Sequence, residues 1–162
     1  MNWFLKLALA LATLCPAWAW SACPPHTMAG PGQVRLKSEA VLIVVHPTST
    51  YDARYASKRG IDEAVRFAKV QKMPVIYLQD DSPEEFYFPQ DCAPDHWVYS
   101  DEGELNFEVA PAHVYVAGGH LEMCLSTALN EILYQWAKKA PRNLKITFFM
   151  DGIYSNGKVI DP

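Results

Sequence analysis

Read for its pattern of apolar and polar positions, the chain opens on a short positive start up to Lys6. An apolar run from Leu7 to Leu14 follows, then a small-x-small step at Ala17-Trp18-Ala19. This is the order of a secretory signal cleaved after Ala19. Pro16 breaks the run, and only about 16 apolar residues precede Cys23, short of the ~20 that a bilayer span needs. Residues 20–33 are rich in Pro, Gly and small side chains and read as an extended leader. From Val34 the pattern changes. Val41-Leu42-Ile43-Val44-Val45 is apolar at every position and ends at His46-Pro47, as expected of a central parallel strand covered on both faces. Ile61, Ala64, Val65 and Ala68 then recur at helical spacing opposite charged residues, predicting a helix over 56–71 that stops before Pro74. Val75-Ile76-Tyr77-Leu78 is a second buried strand.

Strand, helix and strand at this spacing form a right-handed crossover on a parallel sheet, so the fold class is α/β, a three-layer Rossmann-like domain. Residues 80–94, with three prolines and many acids, predict a long loop, and residues 97–109 a hairpin insertion turning at Asp101-Glu102-Gly103-Glu104. His113-Val114-Tyr115-Val116-Ala117 is a third core strand and Gly118-Gly119 a tight turn. A helix over 121–139 follows, with Leu121, Leu125, Ala128, Leu129, Ile132 and Trp136 facing inward and Lys138 and Lys139 at its negative end. Residues 144–150 form a fourth strand before Asp151-Gly152. The ten residues after Gly152 cannot supply another helix and strand, so the mainly parallel sheet is small or the chain is a fragment of a longer one. The expected organisation is a signal over 1–19, a leader over 20–33 and one α/β domain over 34–162.

Composition narrows the function classes. The chain is 50% apolar and 20% charged, which suits a globular domain rather than a disordered tail. Eighteen acidic against 14 basic residues give a net charge of −4 with no Lys/Arg run, so nucleic acid is not an expected partner. Membrane contact is expected only through the signal, and the mature protein is expected in the periplasm or secreted. Once Cys15 leaves with the signal, Cys23, Cys92 and Cys124 remain, enough for one bridge and one free thiol. Cys23 with Cys92 is the natural pair, since both lie in Pro-rich irregular segments. A disulfide-exchange role is disfavoured because no Cys-x-x-Cys pair is present.

In an open parallel sheet, ligands bind outside the carboxyl ends of the strands, so the polar residues just after each strand meet in one crevice. Here these are His46, Asp80, His120 with Cys124, and Asp151. Cys124 falls at the start of its helix, where main-chain N–H groups and the helix dipole favour a thiolate, and His46 or His120 could take its proton. The plainer alternative is a core thiol on the stripe of Leu121, Leu125 and Ala128, with His46 bonded to a loop carbonyl and Asp80 and Asp151 as turn residues.

The stretch Val114-Tyr115-Val116-Ala117-Gly118-Gly119-His120-Leu121-Glu122-Met123-Cys124-Leu125-Ser126-Thr127-Ala128 resembles the strand, turn and helix that carry the nucleophilic cysteine of isochorismatase-like hydrolases, the superfamily that includes nicotinamidases. The crossover from Val41 to Tyr77 fits as well. The resemblance covers residues 41–152. It implies a Rossmann-like fold and hydrolysis of amide, imide or vinyl-ether bonds by an Asp, Lys and Cys triad. Only the cysteine carries over, because His46 stands where the aspartate ends the first strand and no lysine occurs between Lys72 and Lys138. Asp80 resembles a nicotinamidase metal ligand, but Ser82 and Phe86 occupy the histidine positions, so neither metal nor cofactor is expected. Two functions therefore stand. One is a thiol hydrolase of a small molecule in which His46 or His120 serves Cys124. The other is a catalytically silent domain that binds a small ligand or a protein partner through residues 80–109, where Phe86, Tyr87, Phe88 and Trp97 are interface-type aromatics.

Overall fold

The computed structural model describes residues 33–34, 36, 38–47, 57–79, 94–100, 105–107, 110–139, 143–155 and 158–159. The expected signal, most of the expected leader, Asp80, Ser82, the aromatics Phe86 to Phe88, Cys23 and Cys92 lie outside these residues, and with them the expected cleavage, the positions compared with a metal site and the expected disulfide. No helix among the described residues is long and apolar enough to cross a membrane.

In chain order the elements are β1 (Gln33–Val34), β2 (Ala40–Val45), α1 (Ser57–Val70), β3 (Val75–Gln79), β4 (His96–Tyr99), β5 (Asn106–Phe107), β6 (His113–Gly118), α2 (Cys124–Lys139) and β7 (Lys145–Phe148), then a short 3-10 turn (Met150–Gly152) and the strands β8 (Tyr154–Ser155) and β9 (Lys158–Val159). Five strands form one sheet in the order β4-β3-β2-β6-β7, and every neighbouring pair is parallel. The chain steps outward from β2 to β3 and β4, then returns to β6 on the other side and steps to β7. Right-handed crossovers in opposite directions place their helices on opposite faces. Accordingly α1 packs Ile61, Ala64, Val65 and Ala68 on Leu42, Val44 and Tyr77, while α2 packs Leu125, Ala128 and Ile132 on Val41, Ile43, Val45 and Val116. Val41 to Val45 lie between both layers and are fully buried, each worth ~1.5–3 kcal/mol of burial.

Three expectations change. Residues 97–109 do not fold into a hairpin: β4 pairs parallel with β3 and extends the main sheet, while β5 pairs parallel with β1. Gln135 of α2 holds β5, its Oε1 accepting the Phe107 N–H at 2.9 Å and its amide nitrogen donating to the Leu105 carbonyl. Trp97 is buried in the α1-side core, edge-on to Tyr77, and presents no interface surface. The second helix begins at Cys124 rather than Leu121, and Leu121 is exposed in the turn that precedes it.

That turn brings β6 close to β2. Gly118 and Gly119 have φ of 73° and 78°, and a Cβ on Gly118 would lie 2.4 Å from the Val45 carbonyl oxygen. Only glycine combines this backbone sign with this approach.

Candidate active site

Four polar residues are buried among the described ones: His46, Gln79, Ser100 and Gln135. Three of them stand where β2, β3 and β4 end. The sheet order reverses between β2 and β6, and this is the switch point where the crevice of a doubly wound sheet opens. His46 closes β2 on one side of it, and the Gly118-Gly119 turn delivers Cys124 on the other.

His46 is 4% exposed and has a φ of 41°, a left-handed conformation that costs a non-glycine residue on the order of 1–3 kcal/mol. The residue before a proline is restricted as well. The conformation is fixed from both ends, since the His46 N–H still donates to the Leu78 carbonyl at 2.7 Å and the ring Nε2 meets the Ser100 carbonyl at 2.8 Å. A carbonyl can only accept, so Nε2 carries the hydrogen. In the neutral ring, Nδ1 is then the nitrogen left to receive a proton. Ser100 is itself held, its N–H donating to the Gln79 carbonyl at 2.7 Å.

Cys124 is a free, half-buried thiol at the first position of α2. The His120 N–H donates to its Sγ at 3.3 Å. Burial pushes the thiol up. The hydrogen bond from the His46 side chain, the His120 N–H, the charge of His46 and the Leu125 N–H together outweigh it, and the thiol lies below its ordinary value. A half-buried thiol beside a histidine and two main-chain donors, with the ring oriented by the Ser100 carbonyl, has the parts that a cysteine–histidine nucleophile requires.

The other strand-end residues divide. His120 meets the sulfur through its main chain, while its ring Nδ1 lies 2.9 Å from Glu122 Oε2, in the manner of an ion pair rather than an aligned hydrogen bond. Asp151 is exposed, and its main chain packs against Gly60 of α1, where an added Cβ would lie 2.1 Å from the Asp151 carbonyl carbon. His113 starts β6 at the opposite end of the sheet. The Ser100 carbonyl and Glu122 were not singled out by sequence reasoning. The first leaves no residue-type signal, and the second could have been noticed only as an acid two residues from the cysteine. Among the described residues, no group of three or more His, Cys, Asp and Glu is placed to hold a metal ion.

No protein-family model matches the chain. No curated protein matches it by sequence either. Solved structures do match. A candidate isochorismatase from Burkholderia xenovorans LB400 superimposes with a TM-score of 0.54 at 16% identity, covering 74% of this chain and 69% of that one. MAR1 ribonuclease from Caenorhabditis elegans superimposes with a TM-score of 0.51 at 14% identity, covering 80% and 68%. The fold is isochorismatase-like, as the motif around Cys124 led one to expect.

Proposed function

We propose that this chain is an exported, cysteine-dependent hydrolase of a small amide or related acyl substrate, with Cys124 as nucleophile and His46 as its general base and acid. The observation that carries the reading is the His46 ring, fixed on the Ser100 carbonyl and hydrogen-bonded to a thiol that lies below its ordinary value. The export component rests on the Ala17-Trp18-Ala19 site.

The chemistry follows from these parts. His46 takes the thiol proton, and the Cys124 thiolate attacks the acyl carbon. The carbon–sulfur bond forms while the carbonyl electrons move to oxygen, where the positive end of α2 favours the negative charge. Collapse expels the amine, which takes its proton from the His46 imidazolium. A thioester remains. Water then attacks it, His46 accepting the water's proton and returning it to sulfur, so that a carboxylic acid leaves and the thiol is restored. A second reading, a silent binding domain on this fold, is favoured by the lack of any lysine between Lys72 and Lys138 to match the third member of the family triad.

The rate of iodoacetamide alkylation, followed against pH with the modified peptide mapped, separates the two. The expected result is labelling of Cys124 in the folded protein with an inflection below the ~8.5 of an ordinary thiol. Cys124→Ser should abolish labelling at that peptide and leave the unfolding midpoint in place. Labelling only in denaturant would overturn the hydrolase reading.

A further inference from the structure

The turn between β6 and α2 holds a histidine–carboxylate contact that the dyad does not use. The His120 ring and the Glu122 carboxylate approach to 2.9 Å, with side chains 18% and 41% exposed. They lie two residues apart within the turn that precedes the helix. The main chain of His120 does two further things: its N–H donates to Cys124 Sγ at 3.3 Å, and its carbonyl accepts the N–H groups of Met123 at 3.0 Å and Leu125 at 3.2 Å. The peptide of His120 thus links the nucleophile to the first turn of its helix.

We propose that Glu122 is a positioning residue for the nucleophile: by holding the His120 ring it fixes that residue's main chain, and so keeps the His120 N–H aimed at the Cys124 sulfur. The inference rests on the hydrolase reading and adds to it a control of nucleophile strength from the turn before α2, separate from the buried His46.

Charge alone makes the contrary prediction. A carboxylate near a thiolate repels it, so removing Glu122 as a mere charge would lower the thiol's pKa. Removing a tether does the reverse, because a sulfur that loses an aimed N–H donor loses stabilisation of its charged form. The sign therefore separates the roles. Around the sulfur, the titratable side chain acting directly is His46 from the end of β2, and the main-chain donors are His120 and Leu125. Glu122 meets the sulfur through His120.

The test is the pH profile of iodoacetamide alkylation at Cys124, measured for the wild type and three variants alongside their thermal midpoints. Glu122→Ala should raise the inflection by about half a pH unit or more. Glu122→Asp, which keeps a carboxylate for the ring, should stay closer to the wild type than the alanine variant. His120→Asn retains the main-chain N–H but shortens the side chain, and should reproduce the alanine result should that variant fold poorly. An inflection that stays put or falls in Glu122→Ala and His120→Asn would overturn the proposal while leaving the dyad intact. A wild type with no inflection below ~8.5 would overturn the dyad and this inference with it.

Discussion

His46 and His113 stand at opposite ends of neighbouring parallel strands, with Ala40 beside His113 at one end and Val45 beside Gly118 at the other. About five residues, roughly 16 Å, separate the two levels. His46 lies at the carboxyl end, buried, in a left-handed conformation, bonded to a main-chain carbonyl and facing a thiol. His113 lies at the amino end in ordinary strand backbone. Its Nε2 meets the Thr147 hydroxyl at 2.9 Å, and its ring stacks on Tyr115 at 4.0 Å, which extends to Phe67 and Phe149. Each contact of His113 satisfies the ring where it sits. The contacts of His46 instead strain its backbone to present one nitrogen to Cys124. On the proposed reading one residue type plays two parts, and the end of the parallel strand decides which.

The largest effect that could break this contrast lies in the glycine that brings the two strand ends together. Gly118→Ala forces a Cβ to 2.4 Å from the Val45 carbonyl oxygen at a φ of 73°. A loss of about 3–5 kcal/mol is expected, with strain and main-chain collision acting together. Urea denaturation measures it, and a variant within ~1 kcal/mol of the wild type would show that the β2–β6 contact tolerates opening.

Next in size is the exchange of the histidines themselves. His46→Asn keeps a residue that accepts the left-handed region, but its shorter side chain gives up both the Nε2 contact with the Ser100 carbonyl and the proton acceptor. Burial then acts on Cys124 without its main counterweight, so the alkylation inflection should rise toward or above ~8.5 and the rate at pH 7 should fall about 10–100-fold. His113→Asn should leave that profile unchanged. Equal effects from both would mean that the thiol responds to general loosening of the domain rather than to its own partner.

How much of this was legible in the sequence depends on the kind of signal. The buried runs from Val41 and Val75 and the helical spacing of Ile61, Ala64, Val65 and Ala68 show up because two-sided burial leaves an unbroken apolar pattern. β4 was harder. As an edge strand its burial alternates at the ends, with His96 and Tyr99 half exposed, and that pattern serves a hairpin as well as a parallel edge. Its partner is decided by closure in space, as is that of β5, which depends on Gln135 reaching from α2. At the site, His46 and Cys124 could be placed by the strand-end rule alone. The Ser100 carbonyl could not, since every residue carries one. Glu122 was hidden because a helix begun at Leu121 puts it on an outer helical face, whereas the glycine turn delays the helix to Cys124 and leaves Glu122 in the turn beside His120.

The smallest expected effect concerns His113 and the stability of the fold in acid. Burial, and secondarily the positive Lys145 on β7, hold its pKa below the ordinary 6.5. Around the ring, Lys145 is the charged neighbour, while Thr147 and Tyr115 contribute a hydroxyl and a stacking face. In the unfolded chain the imidazole takes its proton near 6.5, and in the fold it does so only at lower pH. Between those values the unfolded state binds more protons, so stability falls as pH drops through about 6.5 and goes on falling until the folded value is reached. Above 6.5 the residue contributes nothing to the slope. His113→Gln keeps a hydrogen-bonding partner for Thr147 but does not titrate, so its stability should decline less between pH 7 and pH 5 than that of the wild type. The difference should be small, because the ring is only partly shielded from water. Chemical denaturation of both proteins at the two pH values measures it. A wild type that held its stability better than the variant on acidification would mean that His113 is favoured in its charged form, and the division between a structural and a working histidine would then have to be drawn elsewhere.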